Sequence, residues 1–163
     1  MSSDPVRPAQ GHAALRRGRY SLGCGVYHVT TTHGRQRVFE DFGAARAVIR
    51  SLNAPQLLRE TALIAWVLMP DHLHILLQLG ERDVLSAYVD RFKSASARSA
   101  NRCIGRSGPI WQRAFHDHQL RNDEDVRVVA RYVVMNPLRA GLVKRLAEYP
   151  HWDAVWVAET GRA

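Results

Sequence analysis

Cysteine is scarce in this 163-residue sequence, with only Cys24 and Cys103 present. Two cysteines form at most one disulfide, and their spacing matches no metal knuckle. Both are expected as free thiols in a reducing cytoplasm. Lysine is nearly missing too: Lys93 and Lys144 stand against 21 arginines among the 23 cationic side chains. No apolar run approaches the roughly eighteen residues of a membrane span, so none is expected. Met1-Ser2-Ser3-Asp4-Pro5 lacks a basic region followed by an apolar core, so no signal peptide is expected. There is no internal repeat.

What is present is a hydrophobic fraction of 46%, enough for a real core, and a length suited to one domain. The formal net charge is +8 and the pI about 10.3. Arginine presents a planar fork suited to phosphate, so nucleic acid is the natural partner for such a surface. Taken alone, the charge is also explained by arginine bias in the genome, with no ligand involved.

Residues 1–19 hold Pro5, Pro8, Gly11 and Gly18 and the cluster Arg16-Arg17-Gly18-Arg19, which reads as a loose basic arm. Gly25 to Thr32 is β-branched and aromatic, a first strand. Asp41 can cap a helix running to about Asn53, with Phe42, Ala45, Val48, Ile49 and Leu52 on one stripe. Ala62–Leu68 and His72–Leu79 read as two strands turned at Pro70-Asp71. Asp83 starts a second helix through about Arg102. Trp111 to Leu120 reads as a fourth strand. Asn122-Asp123-Glu124-Asp125 is an acidic start for a third helix that ends before Pro137. This order predicts an α+β sandwich, a mostly antiparallel sheet with helices on one face. A core domain over 20–145 is expected, with a tail over 146–163 folded back through Tyr149, Trp152 and Trp156.

Two features carry chemistry. His72 and His74 lie two residues apart in an apolar run, so on a strand they project from the same face. Two imidazoles there are costly unless their nitrogens are satisfied, by a divalent metal or by a hydrogen-bonded pair. The third helix supplies the other feature. Val126, Val129, Ala130, Val133 and Val134 form a core-facing stripe. At about 100° per residue, Tyr132 falls roughly 130° from its centre, with Asn136 one turn later on the same side. Separately, each pattern is common in proteins without any such chemistry.

Together they resemble a family. Met-Pro-Asp-His-Leu-His-Ile-Leu (69–76), Trp-Gln-Arg-Ala-Phe-His-Asp-His (111–118) and Tyr-Val-Val-Met-Asn-Pro-Leu-Arg-Ala-Gly-Leu-Val (132–143) occur in this order. They look like the REP-associated tyrosine transposases, within the single-tyrosine, His-hydrophobic-His (HUH) nuclease superfamily. Tyr27-His28-Val29-Thr30 and Tyr149-Pro150-His151-Trp152 fit as well, so the resemblance spans roughly residues 20–156. His33-Gly34-Arg35 departs from the Arg-Gly-Asn-like loop of many relatives.

The resemblance implies a ferredoxin- or RRM-like antiparallel sheet with the histidines on a central strand and the tyrosine on a C-terminal helix. It implies His72, His74 and Asn136 as ligands of Mg²⁺ or Mn²⁺, and Tyr132 as nucleophile through a 5′-phosphotyrosine. Gln112, His118 and a water are all open as proton-transfer groups. Single-stranded DNA beside a palindromic hairpin is the implied substrate, in the cytoplasm of a bacterium and close to the nucleoid. Arg16, Arg17, Arg19, Arg35, Arg37, Lys93, Arg131 and Arg139 are the cations expected against DNA. The family includes both monomers and dimers that exchange the tyrosine helix. A non-catalytic hairpin DNA- or RNA-binding module on the same fold explains the charge without the His–Tyr pairing. A metal-dependent hydrolase, with water as nucleophile, gives DNA ends free of protein.

Overall fold

The computed structural model describes residues 25–32, 34, 36–121 and 124–156. The basic arm with Arg16, Arg17 and Arg19, together with Arg35, lies outside the described residues. Five strands make one sheet: β1 (Val26–Thr32), β2 (Ala62–Leu68), β3 (His72–Gln78), β4 (His116–Gln119) and β5 (Trp152–Ala154). Their order is β4-β1-β3-β2-β5, and every neighbouring pair is antiparallel. The histidine strand β3 is therefore central. The helices are α1 (Phe42–Leu52), a short turn α2 (Pro55–Leu58), α3 (Leu85–Ile104), α4 (Val126–Val134) and a short α5 (Asn136–Arg139). Among the described residues no helix is long and apolar enough to cross a membrane.

Local chemistry explains most boundaries. The Asp41 carboxylate accepts the Ala44 N–H and opens α1, and Asp125 does the same for α4 through Arg127 N–H. Pro70-Asp71 turns β2 into β3, closed by the Met69 N–H to His72 O bond of 2.8 Å. Helix α3 starts at Leu85 rather than at Asp83. The Asp83 carboxylate is taken by Thr61 Oγ1 and Arg91 Nη2 and makes no cap.

Helices cover both faces of the sheet, a correction to the one-face expectation. Val29, Trp66, Leu68, Leu73, Ile75 and Leu77 pack with α1 and α3 in one core. Ala65, Val67 and Leu76 point the other way and pack under Ala130, Val133 and Val134 of α4. The reason is the composition of β2 and β3, apolar at successive positions and so needing cover on both sides.

The fourth strand is shorter than Trp111–Leu120. Trp111 instead enters the first core, its ring 4.9 Å from Phe39 and its Nε1 donating to Ser96 Oγ at 2.9 Å. The tail adds β5 beside β2, and Tyr149 Oη donates to Leu68 O at 2.7 Å.

Candidate active site

Cross-strand register places a polar grid on the α4 face of the sheet. Directly opposed residues of an antiparallel pair share a face. His116 (β4), Thr30 (β1) and His74 (β3) form one row, Thr32 faces His72, and His118 faces His28. His28 and His116 were not singled out as site residues from sequence. Their signal was there in the alternation His28-x-Thr30-x-Thr32 and His116-x-His118, the same period as His72-x-His74.

The two β3 imidazoles stand edge to face with centroids 4.8 Å apart. His72 Nδ1 lies 2.6 Å from Asp71 Oδ1. A carboxylate only accepts, so the Nδ1 of a neutral ring carries the proton and Nε2 keeps its lone pair. His74 Nδ1 is engaged by Thr30 Oγ1 at 3.0 Å and by His28 Nε2 at 3.2 Å. Neither Nε2 of the β3 pair has a hydrogen-bond partner among the described residues. An outer partner on Nδ1 with a lone pair left on Nε2 is the usual dressing of a metal-binding histidine.

Burial pushes His74 down to about 3, helped by the charges of His72, His28 and Arg139. His28 is lowered by burial and then by His118. Neutral rings are what a metal requires. A pH prediction follows. Unfolded His74 gains a proton as pH falls through about 6.5, whereas the folded ring stays neutral down to about 3. The unfolded state binds more protons in that window, so stability is present above it and is lost as pH falls through it. Urea titrations in EDTA between pH 7 and 4 should show this loss. His74→Gln should flatten it, and an unchanged slope would contradict the assignment.

Helix α4 carries Tyr132, and α5 just after it carries Asn136; α4 packs on the same face of the sheet. Leu76, two residues past His74, packs in one cluster with Ala130 and Val133. The valine–alanine stripe is the buried side of α4, and Tyr132 is 55% exposed. Asn136 Nδ2 donates to Val133 O at 2.8 Å and to Tyr132 O at 3.4 Å. Its amino end is thus tied to the helix terminus, and its Oδ1 has no partner among the described residues. Arg139 lies over the Tyr132 ring, with Cζ 3.9 Å from the centroid. No hydrogen bond among the described residues joins Tyr132 or Asn136 to either β3 imidazole.

Gln112 and His118 flank the grid at different places. Gln112 Oε1 accepts from Thr32 Oγ1 at 2.8 Å, at the His72 end. His118, on the edge strand, pairs through Nε2 with the Glu124 carboxylate at 3.0 Å. Glu124 is held below the usual carboxylate range by the Arg121 N–H and then by His118.

Of the expected DNA cations, Arg131 is exposed on α4, and Arg37 is exposed with its Nε on Glu40. Lys93 is a correction. It is buried, and its Nζ donates to the carbonyls of Gln112, Arg113 and Ala114 at 2.9, 3.4 and 2.9 Å. Those carbonyls are satisfied by an ammonium rather than by a ladder, which is why β4 begins only at His116. Lys93→Met should cost about 2–4 kcal/mol in chemical denaturation, because it orphans those acceptors. Hairpin affinity of the folded fraction should be unchanged.

The donor types suit a divalent metal: two imidazoles with ring centroids 4.8 Å apart, and the Asn136 amide oxygen on the short α5 that follows α4. Among the described residues no group of three His, Cys, Asp or Glu could hold an ion. An ion held by the two imidazoles would need further oxygen ligands, from an amide such as that of Asn136 and from substrate or water.

A model of the family described as "Transposase IS200 like" matches residues 22–136. A REP-associated tyrosine transposase of Escherichia coli strain K12 is 31% identical over 86 residues, covering 53% of this chain and 50% of that protein. The chain spans about half the length of the curated relatives it matches. A solved structure of a REP-associated tyrosine transposase bound to a REP hairpin is similar with a TM-score of 0.67 and 25% identity. It covers 88% of this chain and 84% of that one.

Proposed function

We propose that this chain, which belongs to the IS200-like transposase family, cuts and rejoins single-stranded DNA beside a palindromic hairpin, with Tyr132 as nucleophile. The observation that carries this reading is the placement of α4. The tyrosine helix packs on the sheet face that bears His72 and His74, within one chain. That supports a site completed in cis, by a monomer or by each half of a dimer. The hairpin-bound relative supports the substrate class.

His72 Nε2, His74 Nε2 and Asn136 Oδ1 would hold Mg²⁺ or Mn²⁺. When bound there, the ion supplies a Lewis acid for a non-bridging oxygen of the scissile phosphate. The chain's own residues do the rest. Asp71 fixes the His72 ring, and Thr30 and His28 engage Nδ1 of His74. The Tyr132 oxygen attacks phosphorus, the bond from phosphorus to the 3′ oxygen breaks, and that oxygen leaves as a 3′-OH after taking up a proton. The phenol proton goes to a base, since free tyrosine titrates near 10. Gln112, beside Thr32, is suited to orient a water, and His118, paired with Glu124, is suited to exchange a proton. Attack by another strand's 3′-OH on the phosphotyrosine reverses the step and joins the DNA. The bond energy is conserved, so no nucleotide cofactor is required.

The test is incubation of the chain with a single-stranded hairpin substrate and Mn²⁺, then a denaturing gel. A protein–DNA adduct together with a shortened strand is the expected result. Hairpin binding with no adduct under any divalent metal would favour the non-catalytic binding module instead.

A further inference from the structure

Tyr132 presents more than half of its surface to solvent. A side chain so exposed has several rotamers open to it, whereas in-line attack needs one. The structure restrains it from one direction. Helix α4 ends at Val134, and the turn Asn136-Pro137-Leu138-Arg139 follows, with proline at its first turn. This turn carries Arg139 back to the residue seven positions before it. Arg139 Nη2 donates to the Tyr132 carbonyl at 2.6 Å while Cζ lies over the Tyr132 ring at 3.9 Å.

The two contacts have different jobs. The bond to the backbone carbonyl fixes the guanidinium to the helix end, which also suits the negative pole of α4. The stack then holds the phenol ring against a fixed plate. A guanidinium has five N–H donors in a planar fork, and Tyr132 O is its one hydrogen-bond acceptor among the described residues. The guanidinium lies over the Tyr132 ring, and its charge is felt at His74.

We propose that Arg139 is a catalytic residue that clamps the Tyr132 ring for attack and gives its remaining N–H donors to a non-bridging oxygen of the scissile phosphate. The proposal rests on Tyr132 being the nucleophile. As the Tyr132 oxygen bonds to phosphorus and the 3′ oxygen departs, negative charge is spread over the non-bridging oxygens. Arg139 meets that charge with a fork matched to phosphate, and no proton or electron passes through it. A lysine keeps the charge but has neither the plate nor the fork.

The experiment compares the native chain, Arg139→Gln and Arg139→Lys. It measures single-turnover adduct formation at saturating hairpin DNA with Mn²⁺, hairpin affinity and melting temperature. Arg139→Gln should slow adduct formation ~100-fold, the scale of losing one preorganised donor in a transition state. Arg139→Lys should fall between it and the native chain. Hairpin affinity should change less than about threefold, since one phosphate contact is a small part of the electrostatic total. Sulfur in place of one non-bridging oxygen, in one of the two diastereomers, should slow the native chain and add little to the Arg139→Gln defect.

A Gln variant that cuts at the native rate overturns the proposal, as does a loss of cutting that merely follows a loss of affinity. If Arg139→Gln melts much lower than the native chain, Arg139→Lys decides: a native rate there overturns the proposal, a slowed rate with native affinity supports it. A native chain that forms no adduct removes the nucleophile and this proposal with it. A native chain that forms adduct, with variants unaffected, removes this proposal alone.

Discussion

Tyr132→Phe should abolish the covalent adduct and lower strand cleavage by at least ~10³-fold, the scale of deleting a nucleophile with its neighbours intact. The substitution removes one oxygen and little else. Among the described residues the exposed ring makes no buried hydrogen bond that the change could orphan, and its stack under Arg139 survives in phenylalanine. Melting temperature and hairpin affinity should therefore stay at native values, which separates loss of chemistry from loss of fold. The hydrolase alternative predicts the reverse: Tyr132→Phe cuts as well as the native chain and leaves protein-free ends. A denaturing gel with end-labelled hairpin DNA distinguishes the two.

His74→Ala has the second largest expected effect. Loss of an outer-shell partner alone costs about 10–100-fold in metal affinity or activity. Removal of a ligand should exceed that, so Mn²⁺ affinity and adduct formation should both fall by more than ~10²-fold. His72→Ala should behave alike, because the two rings stand 4.8 Å apart, each with Nδ1 engaged and Nε2 without a partner among the described residues. Asp71→Asn should be milder, near ~10-fold, since it weakens only the bond that orients His72. EDTA should stop cutting by the native chain. Mn²⁺ titration followed by electron paramagnetic resonance reads the affinity without any DNA. Unchanged affinity in both alanine variants would remove the metal role from the pair.

Much of this arrangement is readable in residue spacing. The period of Val126, Val129, Ala130, Val133 and Val134 gives both the buried side of α4 and the exposure of Tyr132. Asp41 and Pro70-Asp71 mark an observed cap and an observed turn. Alternation alone puts His72 and His74 on one face. What spacing does not carry is strand register. The grid of His28, Thr30, His116 and His118 beside His74 exists only because β1 pairs with both β3 and β4. The unbroken apolar run of β2 signals cover on both sheet faces, against the one-face expectation. Lys93 was misplaced for a different reason. Its partners are backbone carbonyls of a segment about twenty residues away, which no side-chain pattern reveals.

The most direct test of the central claim is the chemical identity of the junction. The hairpin substrate is cut with Mn²⁺, the adduct is digested with trypsin and nuclease, and the peptides are sequenced by mass spectrometry. The account predicts a nucleotide joined through its 5′ phosphate to Tyr132, in the peptide that runs from Tyr132 to Arg139, with a free 3′-OH on the released strand. DNA attached to another residue, or cut ends that carry no protein, would contradict it.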